Sequence, residues 1–150
     1  MPAKFKLLLL EDDYLQRTDI RKTLEERFDV EVNAKSTESE FVRDFEQIAT
    51  NPPHAAILDV MVRWTNPSRD AGPEPENAIH PEIAGLRCAE RLRNDPRTQR
   101  VNVILYSVLG PEDREDAPIP DGVVSVVKES DFENLFEILR LLALPIKPPS

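Results

Sequence analysis

Three acidic side chains stand side by side near the start of the chain, directly after an apolar run. Glu11, Asp12 and Asp13 follow the six residues FKLLLL, and a second apolar run, AAIL, is followed by Asp59. Clustered carboxylates are ligands for a hard divalent cation, and a single carboxylate can act as a nucleophile toward phosphorus. These residue types therefore indicate metal binding, phosphoryl transfer, or both.

A hydroxyl and an ammonium group occupy corresponding places further along the chain. Ser107 follows the apolar run at residues 101–106, and Lys128 follows the run at residues 123–127. In open parallel sheets, the ligand site lies at the carboxyl ends of the strands. We therefore expect the hydroxyl, the ammonium group and the carboxylates to converge on one edge of a sheet.

The segments that would position these groups alternate between strands and helices. Strands are predicted at residues 5–10, 30–34, 54–59, 101–106 and 123–127. Helices are predicted at residues 14–28, from residue 37 onward, from residue 81 or 82 to 94, and from residue 130 to 144. This alternation is typical of a doubly wound α/β fold. We predict a flavodoxin-like, five-stranded parallel sheet of order 2-1-3-4-5 with helices on both faces.

The predicted helix starts carry capping signals. Thr37 with Glu40 and Ser130 with Glu133 have the spacing of a capping box, in which side chains satisfy free backbone N–H groups. Asp13 is interpreted as an acid at the start of the first helix rather than as a metal ligand, because helix N-termini favour negative charge.

The composition of the chain excludes several classes of protein. The chain has 150 residues, of which 31% are charged and 40% hydrophobic, so we expect one globular domain. A net charge of -9 argues against binding to nucleic acid or to an anionic membrane surface. No apolar run is long enough to span a bilayer, no signal peptide is evident, and a single cysteine permits no internal disulfide. We expect a cytoplasmic protein.

Five of these residues together resemble the active-site set of bacterial response-regulator receiver domains of the chemotaxis type: Glu11, Asp12, Asp59, Ser107 and Lys128. The resemblance implies that Asp59 accepts a phosphoryl group from a phosphohistidine on a sensor histidine kinase or a histidine phosphotransfer protein. It also implies that Glu11, Asp12, Asp59 and the backbone carbonyl of Met61 hold Mg²⁺. Ser107 and Lys128 would then bind the phosphoryl group.

The resemblance also implies how the chain is organised. Residues 1–150 would form a single, stand-alone receiver domain with a core at about 4–144, an insertion at about 62–81 and a frayed tail at 145–150. Such a domain is a signalling module rather than an enzyme, and it would act by altering its contacts with a downstream protein target.

The insertion at residues 62–81 is polar and rich in proline, and it leaves three interpretations open. It could be disordered, it could be an ordered flap near the metal, or it could select the partner kinase. A partner-facing element is the interpretation we favour.

Two positions and the insertion at residues 62–81 depart from the receiver pattern and together motivate an alternative function. Val108 stands where receivers carry a small residue, and Ser125 stands three residues before Lys128, where many receivers carry an aromatic side chain. The alternative is an interaction module that keeps the fold without being phosphorylated. An aspartate-nucleophile phosphatase is disfavoured, because Met61 stands where the D-x-D pattern of those enzymes requires a second aspartate.

Overall fold

The computed structural model describes residues 5–60, 62, 84–108, 120–129 and 132–142, which include a five-stranded parallel sheet. The strands are β1 (Phe5–Leu10), β2 (Val30–Lys35), β3 (Ala55–Leu58), β4 (Asn102–Ser107) and β5 (Val124–Val127). The helices are α1 (Tyr14–Arg27), α2 (Glu38–Arg43), α3 (Phe45–Thr50), α4 (Ala84–Asn94) and α5 (Glu133–Leu141). The strand order β2-β1-β3-β4-β5 confirms the predicted topology.

The leucines of β1 show why the strands are continuously apolar. Leu8 and Leu10 pack into the core on the side of α2, α3 and α4, while Leu7 and Leu9 pack into the core on the side of α1 and α5. All four side chains are at most 1% exposed. A sheet that is covered on both faces requires apolar residues at every position of its central strands. Truncating one such leucine to alanine costs roughly 2–5 kcal/mol.

Strand β2 is the polar edge strand that the sequence predicts. Val30 and Val32 are buried toward the α1 side, whereas Glu31 and Asn33 are exposed. Within the described ranges, β2 pairs with β1 alone. The alternation of buried and exposed residues therefore marks a strand that is covered on one face only.

Two of the three predicted helix starts are confirmed. The Asp13 carboxylate caps α1 by accepting a hydrogen bond from the Gln16 N–H at 3.0 Å. The Thr37 hydroxyl caps α2 by accepting one from the Glu40 N–H at 3.2 Å. The third prediction differs, because α5 begins at Glu133 itself, whereas a Ser130 cap would have put Glu133 in the third helical position.

The helix predicted to begin after Thr37 is broken into two short helices at Asp44. The Asp44 carboxylate accepts a hydrogen bond from the Lys35 ammonium at 2.6 Å and one from Arg43 at 3.1 Å. Lys35 lies at the end of β2, so the ion pair ties the break to the edge of the sheet. The break leaves the apolar side of both helices buried, since Phe41 on α2 and Phe45 and Ile48 on α3 all lie in the core.

Two predicted features lie outside the described residues, namely nearly all of the insertion at 62–81 and the tail at 145–150. Among the helices of the described ranges, none combines the length and the apolar character that a membrane crossing requires.

Replacing Asp44 by asparagine should destabilise the fold in a pH-dependent way. Arg43 and Lys35 lower the pKa of Asp44 from 3.8 to about 2. A carboxylate whose pKa is depressed by folding stabilises the protein above its unfolded pKa, and that contribution disappears as the pH falls through the folded pKa. Near neutral pH, we expect the free energy of unfolding, measured with urea, to fall by about 1 kcal/mol.

The loss should shrink as the pH approaches about 2, because the wild-type carboxylate is then protonated as well. Asp29→Asn is the matched control, since Asp29 is exposed. A loss that is the same at neutral and acidic pH would show that the ion pair is not its source.

Candidate functional site

The side chains that could take part in chemistry lie where the strands end, along one edge of the sheet. Glu11 follows β1, Asp59 follows β3, Lys128 follows β5, and Ser107 is the last residue of β4. Because all of these strands are parallel, their carboxyl ends share this edge.

Backbone hydrogen bonds hold two of these residues in place just beyond their strands. The Asp59 N–H donates to the Leu10 carbonyl at 2.9 Å, which ties the end of β3 to the end of β1. The Lys128 N–H donates to the Ser107 carbonyl at 2.9 Å, which ties the end of β5 to the end of β4. Their side chains therefore leave the sheet from a fixed backbone.

Three carboxylates from two strand ends converge at this edge. Oxygen atoms of Glu11, Asp12 and Asp59 lie within 4.8 Å of one another. Glu11 is 1% exposed and Asp59 is 9% exposed, so water screens their negative charges weakly. Carboxylates held this close repel one another and require a positive partner.

The Lys128 ammonium is one such partner. It donates to Glu11 Oε1 at 2.8 Å, to Gln16 Oε1 at 2.8 Å and to Asp59 Oδ2 at 3.1 Å. An ammonium group has three N–H donors, so these three acceptors satisfy it completely. The side chain of Lys128 is 12% exposed, which makes its two ion pairs largely buried.

The protonation of these groups reflects burial and mutual charge. The pKa of Glu11 is raised to about 8, mainly by burial and also by the neighbouring Asp59 carboxylate, while Lys128 acts in the opposite direction. Burial disfavours the charged form of Lys128, but the Asp59 and Glu11 carboxylates outweigh that effect and hold its pKa above the ordinary value. One ammonium group thus only partly offsets the clustered negative charge.

The arrangement fits a hard divalent cation. Glu11 Oε2 is buried and has no hydrogen-bond partner among the described residues, although an unsatisfied buried polar group costs about 1–3 kcal/mol. Oxygen ligands from one or two carboxylates are what Mg²⁺ uses in proteins. Glu11, Asp12 and Asp59 could therefore hold such an ion, whereas Met61, the predicted carbonyl ligand, lies outside the described residues.

The residues at the ends of β4 and β5 differ in exposure. Ser107 is 2% exposed at the edge that carries the carboxylates. Val108, the first departure from the receiver pattern, is 66% exposed. Ser125, the second departure, is half-buried in β5. The exposure of Val108 gives no sign that its side chain is packed into the site.

Two contributors to the site were not singled out from the sequence. Gln16 contacts Lys128, and the available signal was its place three residues after Asp13, the D-x-x-Q spacing of a capping box. Tyr106 is 1% exposed, and its hydroxyl hydrogen-bonds to the Glu129 carbonyl at 3.3 Å. It supports the backbone next to Lys128.

Gly85, at the start of α4, is a further structural requirement that the sequence did not reveal. A Cβ at this position would lie 2.1 Å from the Asp59 carbonyl oxygen and 2.7 Å from Val60 Cα. The Gly85 N–H donates to the Val60 carbonyl at 2.9 Å. Only glycine lets α4 approach the backbone of Asp59 this closely.

Comparison with known proteins identifies the architecture. The sequence matches no protein-family model and no curated protein. Solved structures, however, are similar over nearly the whole chain. The response regulator TrrA from Thermotoga maritima, in complex with Mg²⁺ and BeF, is 20% identical, with 92% of this chain and 98% of that chain covered and a TM-score of 0.63.

Two further solved structures are similar to this chain over nearly its whole length. The receiver domain of the sensor histidine kinase PA1611 from Pseudomonas aeruginosa, with a magnesium ion coordinated in its active-site cleft, is 19% identical, with coverages of 94% and 99% and a TM-score of 0.65. The chemotaxis response regulator CheY4 of Vibrio cholerae is 13% identical, with coverages of 93% and 99% and a TM-score of 0.65. This chain has the receiver-domain fold. The fold that the five-residue resemblance implied is thereby confirmed.

Substituting Gly85 by alanine should disrupt the edge that this receiver fold builds around Asp59. Alanine is the better helix former by roughly 1 kcal/mol, so a simple helix effect would stabilise α4. The clash with the Asp59 carbonyl should instead destabilise the protein by about 2–4 kcal/mol, measured by thermal and urea unfolding. Glu90→Ala, at an exposed position of the same helix, should be close to neutral. A stabilised Gly85→Ala variant would contradict the close approach.

Proposed function

We propose that this chain is the phosphoacceptor receiver of a two-component signalling system. Asp59 would accept the phosphoryl group, and the donor would be a phosphohistidine on a sensor histidine kinase or a histidine phosphotransfer protein. The observation that supports this most directly is the convergence of Glu11, Asp12, Asp59 and Lys128 at one sheet edge of a receiver fold.

The transfer moves one phosphoryl group between two nucleophiles. A carboxylate oxygen of Asp59 attacks phosphorus while the phosphorus–nitrogen bond of the phosphohistidine breaks, and the electron pair of that bond returns to the imidazole nitrogen. The product is an aspartyl phosphate. The chain supplies positioning and electrostatic stabilisation rather than a covalent relay, as is general in phosphoryl transfer.

The metal requirement follows from charge. Mg²⁺ held by Glu11, Asp12 and Asp59 would neutralise the negative charge that the phosphoryl group brings to a site already rich in carboxylates. The magnesium in the PA1611 receiver domain and the Mg²⁺ and BeF in TrrA support this choice of ion by analogy of fold.

Lys128 and Ser107 would contact the new phosphoryl group. The Lys128 ammonium already lies 3.1 Å from Asp59 Oδ2, so a phosphoryl oxygen attached to Asp59 comes within its reach. The Ser107 hydroxyl lies at the end of the neighbouring strand and would donate a second hydrogen bond. The added charge would shift the loop after β4 and change the contacts with a downstream protein target.

Phosphorylation can be tested with a small phosphodonor such as acetyl phosphate. With Mg²⁺ present, intact-mass analysis should show a single added phosphate on the wild-type protein. Asp59→Asn should show none, because an amide is not a nucleophile toward phosphorus under these conditions. Asp29→Asn, a change at an exposed aspartate, should be modified like the wild type.

The same experiment addresses the alternative that the chain is an interaction module that is not phosphorylated. Val108, Ser125 and the insertion at residues 62–81, all of which depart from the receiver pattern, are the reasons to consider it. Failure to modify the wild-type protein, under conditions that phosphorylate an ordinary receiver, would favour the alternative.

Mg²⁺ binding should depend on the buried acid at the end of β1. Glu11→Gln preserves the size of the side chain and removes its negative charge, so we expect the dissociation constant for Mg²⁺ to rise about tenfold or more. Isothermal titration calorimetry would measure the change. Glu31→Gln, at an exposed position of β2, should bind Mg²⁺ like the wild type. Equal affinities for all three proteins would place the metal elsewhere.

A further inference from the structure

Gln16 makes a contact that the proposed phosphotransfer site does not by itself require. Its side-chain oxygen Oε1 accepts a hydrogen bond from the Lys128 ammonium at 2.8 Å. That distance equals the distance from the ammonium to Glu11 and is shorter than the 3.1 Å to Asp59. Two of the three ammonium donors are therefore held more closely by neighbours than the third is held by Asp59.

The position of Gln16 follows from the start of α1. Asp13 caps the helix by accepting a hydrogen bond from the backbone N–H of Gln16, which places Gln16 in the first turn. In a reciprocal capping box, the side chain of this residue would reach back to the N–H of the cap residue. Here its oxygen accepts from Lys128 instead, a residue 112 positions away in sequence.

We propose that Gln16 is a positioning residue for Lys128. Together with Glu11, it holds the ammonium group so that its third N–H is directed at Asp59. This inference rests on the proposed function, in which that N–H binds the phosphoryl group on Asp59. In this role Gln16 would act through Lys128 rather than by binding the phosphoryl group itself.

The neutrality of the glutamine amide suits this role. Lys128 requires three acceptors to be satisfied, and two of them are already carboxylates that repel an incoming phosphoryl group. A third carboxylate would add to that repulsion, whereas an amide oxygen completes the set without adding negative charge. A donor that is already oriented needs no reorganisation when the phosphoryl group arrives.

The first test compares phosphoryl-transfer rates. Gln16→Met keeps a side chain of similar length and removes the hydrogen-bond acceptor. We expect the rate constant for modification of Asp59 by acetyl phosphate at saturating Mg²⁺ to fall about two- to fivefold, the size expected for the loss of one solvent-exposed hydrogen bond of ordinary strength. The affinity for Mg²⁺ should stay within about twofold of the wild-type value, because Gln16 is not among the carboxylate ligands.

The matched control is Gln47→Met. Gln47 is exposed on α3, which packs on the opposite face of the sheet from α1. The Gln47→Met substitution makes the same chemical change far from Lys128, so it should leave the rate of phosphoryl transfer to Asp59 unchanged. Equal rates for Gln16→Met and Gln47→Met would overturn the inference.

A double-mutant cycle separates positioning from a merely structural role. If Gln16 acts through Lys128, Gln16→Met should have no further effect on the transfer rate in a Lys128→Met background. An equal loss in both backgrounds would show that Gln16 acts independently of Lys128. If Lys128→Met is too slow to measure, the same cycle is read from the affinity for Mg²⁺ with beryllofluoride as the phosphoryl mimic.

A direct measurement needs no phosphoryl transfer. In ¹⁵N NMR spectra, the ammonium protons of Lys128 should exchange with water about twofold or more faster in Gln16→Met than in the wild type, since one acceptor is lost. Unchanged exchange would contradict the contact. Absence of phosphate on the wild-type protein would instead refute the proposed function, so the two failures are distinguishable.

Discussion

The balance between clustered carboxylates and one buried ammonium group is the constraint on which the site depends. Glu11 and Asp59 are buried close together, and Lys128 bridges them. One positive charge falls short of offsetting three neighbouring carboxylates, and this shortfall adds to burial, which is the main cause of the raised pKa of Glu11. The same shortfall makes the edge receptive to a divalent cation, so the electrostatic strain of the folded chain and its proposed chemistry have one physical origin.

The scaffold holds this strained edge because it is covered on both faces. The β1 leucines alternate between two apolar cores, and the bond from the Asp59 N–H to the Leu10 carbonyl carries the ladder past the end of β3. Gly85 lets α4 press against the Asp59 backbone. Burial of apolar surface on both sides of the sheet thus offsets the unfavourable approach of like charges at its edge.

Identities of 13–20% to solved receiver structures are consistent with these requirements. Two-sided burial demands apolar character at strand positions but tolerates many different side chains, so most positions can change while the fold persists. Positions at the carboxyl ends of the strands tolerate fewer side chains, because each must supply a particular charge or hydrogen-bonding group at a particular distance from the strand. Few residues therefore carry the resemblance, and a protein-family model need not detect it.

Local pattern predicted the strands and the strand-end positions of Glu11, Asp59, Ser107 and Lys128, because period and burial are encoded residue by residue. The sheet order was predicted from the doubly wound fold of which this alternation is typical. Tertiary structure decided what no local pattern contains. The Asp44 carboxylate at the helix break pairs with Lys35 of β2, the need for glycine at position 85 comes from the Asp59 backbone, and the role proposed for Gln16 depends on Lys128. Each is a contact between different elements of the fold, so it exists only once the chain has folded and brought those elements together.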